Sequence, residues 1–368
     1  MRIEGVELVR VRMPLVAPFR TSFGTQHVRE VLLVQVHTPG AVGWGECVAM
    51  GEPLYSSEHI DGAQHVLRQF LVPALLDQDS VTATAVHETL ARFKGHRMAK
   101  AALEMAVLDA ELRTWGLRFA DVLGAVREHV PSGVSVGIMD SIPALLDAVE
   151  GYLAEGYARI KLKIEPGWDV EPVRAVREKC GDDLLLQVDA NAAYTPADAP
   201  HLAALDDFGL LLIEQPLDEE DVLGHAELAR RLTTPICLDE SIVSAASAAA
   251  AIRLGACSIV NIKPGRVGGY LEARRIHDVC RANGVAVWCG GMLETGLGRA
   301  ANVALAGLPG FTLPGDVSAS SRFYLRDLTE PFVLRDGGLD LPEGPGLGVE
   351  PLADALEELT VPGSRLRC

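Results

Sequence analysis

Basic runs are missing from this 368-residue chain: Asp and Glu number 50 against 33 Lys and Arg, a formal charge of −17. No Lys/Arg cluster is set apart, so the surface would repel nucleic acid. Apolar runs long enough to cross a bilayer are missing too; even Ala245–Ile252 stops at Arg253. A targeting leader is not expected, because Val9, Val11 and Met13 alternate with Arg10 and Arg12 over Ile3–Met13, which is a strand pattern. The seven cysteines form no CxxC pair and no zinc spacing, and the ten histidines no HExxH pair. The cysteines therefore read as buried free thiols of a cytoplasmic protein. With these classes excluded, 48% hydrophobic and 23% charged residues describe an ordinary globular chain.

Its organisation changes along its length. The first third reads as strands near 3–13, 30–37 and 41–48, the last two joined by Thr38-Pro39-Gly40 as a hairpin. Helical patterns follow near 57–75, 80–94 and 97–115, the last stopped by Gly116. From about 130, strands and helices alternate. The strands are Val134–Ile138, Arg159–Ile164, Leu184–Val188, Leu210–Ile213, Pro235–Leu238, Ser258–Ile262 and Val285–Trp288, with Phe311–Leu313 as a short eighth. Helices Ile142–Glu155, Val170–Lys179, Leu202–Leu205, Gly224–Leu232, Ala245–Leu254 and Tyr270–Asn283 lie between them, several ended by glycine. The expected fold is α/β: a modified TIM barrel, (β/α)7β, over residues 126–320, with an α+β capping domain over 1–125. Residues 321–368, with a hairpin signal at Asp336-Gly337-Gly338, are expected to pack back on the capping domain.

Five residues fall at or just past strand ends, about 25 residues apart: Lys163, Asp189, Glu214, Asp239 and Lys263. Strand ends of one polarity converge on one rim of a barrel. Asp189, Glu214 and Asp239 offer hard oxygen ligands from three consecutive strands, suited to Mg²⁺, with Mn²⁺ or Co²⁺ as alternatives. Asn191 and Glu240, one or two residues beyond two of them, read as supporting groups. Lys161 and Lys163 alternate in one strand and point to the same face. Lys263 comes from the other side of the acid trio, so two lysines can flank a bound substrate. Beside a metal and another cation a lysine pKa falls toward neutrality, which makes a base able to take the α-proton of a carboxylate. A Schiff-base lysine is the competing chemistry, and it leaves the three acids unexplained.

The motifs Lys161-Leu-Lys163, Asp189-Ala-Asn191, Glu214-Gln-Pro, Asp239-Glu-Ser and Asn261-Ile-Lys263-Pro-Gly resemble the enolase superfamily, in its muconate-lactonizing subgroup. Gly290–Gly296, Phe93–Met98 and Pro18–Phe23 carry a nearer resemblance to the o-succinylbenzoate synthase/N-acylamino acid racemase family. That resemblance implies Lys163 and Lys263 as acid/base pair, Lys161 as electrostatic support for the enolate, and Arg266 as an arginine of the racemising members. It also implies a substrate pocket closed by the capping domain. Pro14–Gln26 reads as a mobile lid between two strands, and Met50–Tyr55 as a second loop. Candidate substrate contacts are Phe19, Phe23, Met50, Tyr55, Ser135, Gly291, Met292, Leu293 and Phe323. The implied function is N-acylamino acid (N-succinylamino acid) racemisation, o-succinylbenzoate synthesis for menaquinone biosynthesis, or both, by a homo-oligomer acting on a small carboxylate. Dipeptide epimerases of the superfamily carry Asp-x-Asp after the eighth strand, where this chain has Asp316-Val-Ser318. Dipeptide epimerase, muconate-type cycloisomerase and a metal-stabilised binding protein remain the alternatives.

Overall fold

The computed structural model describes residues 1–368. Strands β1 (Gly5–Thr21) and β2 (Gly24–His37) pair antiparallel, and β3 (Val42–Cys47) joins β2 through the hairpin at Thr38, whose hydroxyl accepts from Ala41 N. Helix Arg97–Trp115 covers this sheet and ends at Gly116, whose φ is 68°. Strand β3 touches that helix backbone to backbone. A Cβ on Gly45 would stand 2.0 Å from Ala102 O, so only glycine permits the approach. The helix expected over 57–75 is broken instead into Ile60–Val66, a wide turn Leu67–Leu71 and Val72–Leu76. Pro73 cannot donate to the regular ladder, and Val72 N–H reaches back to Leu67 O in a wider turn. The next helix shrinks to Ala83–Leu90, capped by Thr82.

After β4 (His129–Pro131) come β5 (Gly133–Val136), β6 (Arg159–Lys163), β7 (Leu186–Asp189), β8 (Ile213–Glu214), β9 (Ile236–Leu238), β10 (Ile259–Ile262) and β11 (Ala286–Cys289). They form one parallel sheet in sequence order, with helices on its outside. This bears out the α/β barrel with its antiparallel cap. The eighth strand is reduced to bridges: Phe311 meets Val287, and Gly315 meets Ser132 beside β5, closing the curl. Pro309 and Pro314 flank this segment and remove the donors a full strand needs. The sequence reading missed helix Gly296–Ala306, all eleven of whose residues are buried, Arg299 and Asn302 included. Leu202–Leu205 proves to be the junction of a short helix, Ala199–Leu202, and a tight turn, Ala203–Phe208.

The C-terminal stretch touches both units rather than the cap alone. Strand β12 (Gly338–Asp340) pairs with β4 at the foot of the barrel, while β13 (Leu366–Arg367) pairs with β1. Asp336 and Gly337 form the expected tight turn, with positive φ at both.

One apolar core of 99 buried residues runs through both units, so the cap is welded to the barrel rather than hinged to it. Acids of the cap complete the joint by capping barrel helices. Glu46 accepts from Thr295 N, Thr295 Oγ1 and Gly298 N at 3.1, 2.7 and 2.9 Å. Glu104 accepts from Leu271 N at 3.1 Å at the start of helix Tyr270–Ala282. A carboxylate there satisfies free N–H groups and meets the positive helix end. Burial nonetheless pushes both up to about 7. No helix is long and apolar enough to cross a membrane.

Candidate active site

Strand β6 is buried along its whole length, and its period of two aims Lys161 and Lys163 to one side. Lys163 Nζ donates to Asp189 Oδ2 at 2.7 Å and Asn191 Oδ1 at 2.6 Å. Lys161 Nζ reaches Asp189 and Glu214, both at 3.1 Å, and Asp316 Oδ2 at 2.7 Å, while lying 4.8 Å from the Trp288 ring. Lys263, one residue past β10, donates to Asp239 Oδ2 at 2.7 Å and Tyr55 OH at 3.1 Å. Arg266 donates to Asp239 Oδ1 at 2.6 Å and Asn261 O at 2.9 Å. It is thus a buried partner of the acid trio and not a solvated loop charge. Glu214, Asp189 and Asp239 are all 0% exposed.

The electrostatics follow from this packing. Burial opposes the Asp189 charge, but Lys163 and Lys161 outweigh it and hold its pKa far below the usual range. Asp239 is likewise lowered against burial, by Arg266 and Lys263. Glu214 is pushed well up by burial and then by the Asp189 charge. Burial and then Asp239 raise Glu240 to about 8. Burial lowers Lys161 and Lys263, yet Asp316 and Asp239 respectively more than reverse it, so both pKa values stand high. In this arrangement the charge nearest Lys263 is an acid at ion-pair distance, Asp239 Oδ2 at 2.7 Å.

The acids each hold a neighbouring cation, and no three His, Cys, Asp or Glu side chains gather around one point as they stand. Their chemistry nevertheless fits a divalent ion. They are hard, buried oxygen donors at the ends of three adjacent strands, and Lys161 Nζ lies 3.1 Å from both Asp189 and Glu214. Asn261 Nδ2 orients Glu214 at 2.6 Å, and Asn191 Nδ2 holds Glu240 at 2.9 Å. Strain concentrates on this rim: Asn191, Ala192, Gln215 and Leu293 all have positive φ.

All nine candidate substrate contacts come together. Phe19, Ser135, Gly291, Leu293 and Phe323 line one pocket with the three lysines. Phe23, Met50, Tyr55 and Met292 line an adjoining one, which shares Lys163 and Lys263. Pro14–Gln26 is not a loop between strands. Strands β1 and β2 continue through it, with an irregularity between Pro14 and Phe19, to a hairpin tip at Ser22 and Phe23. Backbone pairing extends where loop was expected, because Phe19, Arg20 and Thr21 find partners in Gln26, Thr25 and Gly24. The tip sits on the barrel rim: Arg20 O accepts from Ile138 N at 2.9 Å, Ser22 Oγ donates to Ala190 O at 3.1 Å, and Arg20 pairs with Glu165 at 2.9 Å.

Two roles escaped the sequence. Asp316, noted there only for what it lacks, clamps Lys161 and pairs with Arg159 at 2.9 Å. Gln215 ties the end of β8 to that of β9, accepting from Asp239 N at 3.0 Å and donating to Ser241 at 2.8 Å. Gln215 did stand inside the Glu214-Gln-Pro motif; Asp316 gave no signal, since its partners lie some 155 residues upstream.

The fold and the sequence are both shared with known proteins. Residues 3–124 match the mandelate racemase/muconate lactonizing enzyme N-terminal domain, and 144–355 the enolase C-terminal domain-like family. The chain is 73% identical over 360 residues to an N-succinylamino acid racemase from Amycolatopsis sp, covering 98% of each. It is 48% identical to an o-succinylbenzoate synthase from Geobacillus kaustophilus, over 95% of this chain and 94% of that one. A crystal structure of an enolase superfamily member from Listeria innocua superposes with a TM-score of 0.95 at 37% identity, covering 100% of this chain and 99% of that one.

Proposed function

The chain belongs to the enolase superfamily, in its mandelate racemase/muconate lactonizing enzyme family, and we propose that it racemises N-succinylamino acids by moving the α-proton between two lysines. The observation that carries this reading is that Lys163 and Lys263 line the same two cavities from strands with three others between them. One lysine takes the proton and the other returns one to the opposite face. Asn191 orients Lys163, Lys161 places a buried positive charge beside the site, and Arg266 steadies Asp239. Enolase superfamily enzymes depend on a divalent metal. Asp189, Glu214 and Asp239 would hold it here, Mg²⁺ by preference with Mn²⁺ or Co²⁺ as substitutes, and when bound it supplies the charge that makes the α-proton acidic. The rings of Phe19, Phe23 and Phe323 with Met50 suit an apolar side chain.

A second activity, dehydration to o-succinylbenzoate in menaquinone biosynthesis, uses the same residues. Lys163 takes the proton and returns it to the departing hydroxyl, and Lys263 offers a positive charge. The relatives at 48% identity favour including it. The dipeptide reading is disfavoured, because Asp316 is held by Lys161 and Arg159 and Ser318 offers no charge to an ammonium. A cytoplasmic homo-oligomer that acts on small carboxylates, with no nucleic acid or membrane partner, is the proposed setting.

The test is ¹H NMR in D₂O with N-succinyl-L- and -D-phenylalanine, in Mg²⁺ or Mn²⁺. Loss of the α-proton signal with optical rotation falling to zero is expected, abolished by a chelator and restored by the ion. Exchange without racemisation would favour the synthase alone. No exchange in metal-loaded protein would overturn the substrate class and return the cycloisomerase and binding-protein readings.

A further inference from the structure

The three lysines are not held alike. Lys161 and Lys163 bond only to barrel residues. Lys263 alone also meets a side chain of the capping domain, Tyr55. The contact is double. The phenol oxygen accepts from Nζ at 3.1 Å, and the ring centroid lies 4.6 Å from the same nitrogen. The hydroxyl proton is directed to Asp239 Oδ2 at 3.2 Å, so Tyr55 spans the base and the acid beside it. Tyr55 is buried, and its segment is closed on itself by Ile60 N donating to Met50 O at 2.8 Å. On its outer side the Phe23 ring of the hairpin tip lies 6.2 Å away. A flexible four-carbon lysine needs such a seat to present its nitrogen to one face of a substrate.

We infer that Tyr55 is the positioning residue of Lys263, fixing the ammonium by hydroxyl and ring from the capping domain, while Lys163 is positioned by the barrel alone. The consequence is an asymmetry between the two faces of the reaction. Loss of Tyr55 loosens one base and leaves the seat of the other intact. A misplaced catalytic group loses on the order of 10²-fold in rate. Racemisation cannot display this, since its equilibrium constant of unity ties the two directions together. Exchange of the α-proton from each enantiomer can, because each enantiomer presents its proton to a different lysine.

This inference rests on the proposed two-lysine chemistry. The experiment follows α-deuterium incorporation into N-succinyl-L- and -D-phenylalanine separately, at initial rates in D₂O with saturating Mn²⁺. Lys263→Ala identifies the enantiomer that uses Lys263. Tyr55→Phe keeps the ring and removes the hydroxyl; Tyr55→Leu removes both. The expected result is that Tyr55→Phe lowers the Lys263-face rate relative to the Lys163-face rate by about tenfold or more, and Tyr55→Leu by more. A ratio within about twofold of wild type in whichever variant folds overturns the inference, even if both rates fall together, as loss of metal or of general packing would cause. A wild type that exchanges neither enantiomer overturns the proposed function, and the inference falls with it.

Discussion

At the scale of single residues, burial decides what the charges do. Each of the three acids stays in place because a lysine, arginine or asparagine faces it, so removing one partner leaves a buried charge without compensation. Replacement of Lys163 or Lys263 by Ala should lower racemisation by about 10²–10⁴-fold, the usual worth of a general acid or base, measured by polarimetry. Asp316→Asn removes the Lys161 clamp; about a tenfold to hundredfold fall in kcat is expected in steady-state assays. The lysines and acids were legible in the sequence because each ends a short apolar run, and the barrel geometry turns a repeat of about 25 residues into a shared rim. The clamp was not legible, since closure of the barrel brings Asp316 to Lys161 and no local pattern encodes that.

Elements set how closely these groups approach the substrate. The hairpin tip docks where Gly137 leaves room: a Cβ there would stand 2.8 Å from Arg20 O. Gly137→Ala should lift the tip, break the Ile138–Arg20 hydrogen bond and raise KM several-fold, as about 1 kcal/mol of lost contact implies. Steady-state kinetics would show this as a change in KM larger than that in kcat. Gly45→Ala forces β3 off helix Arg97–Trp115 and should cost about 1–3 kcal/mol, read from denaturant unfolding. The long helix was readable from its apolar spacing and its glycine stop. The hairpin tip was not, because Pro14, Pro18 and Gly24 punctuate the segment as a loop would, and its pairing is supplied by the opposite arm. Helix Gly296–Ala306 was hidden because Gly296 and Gly298 in its first turn weaken the helical signal, and burial inside the fold supplies what propensity does not.

For the whole molecule, the joint between cap and barrel carries a pH signature. Burial chiefly raises Glu104 in the fold to about 7, from an ordinary 4.5. The folded state thus binds more protons between those values, so this acid favours folding below about pH 4.5 and progressively ceases to as pH rises through 7. Glu104→Gln, which keeps an acceptor for Leu271 N, should gain stability over wild type between pH 5 and pH 8, by about 1–3 kcal/mol, in urea titrations at each pH. The same joint limits how such chains can be recombined. A chimera that joins this cap to a relative's barrel inherits Glu46 and Glu104 as half of a lock. Unless the recipient supplies the helix starts at Thr295 and Gly269 in register, the graft buries two acids with nothing to receive them. Inheritance of the cap and inheritance of the barrel are therefore coupled, and the boundary between them is a poor place to cut.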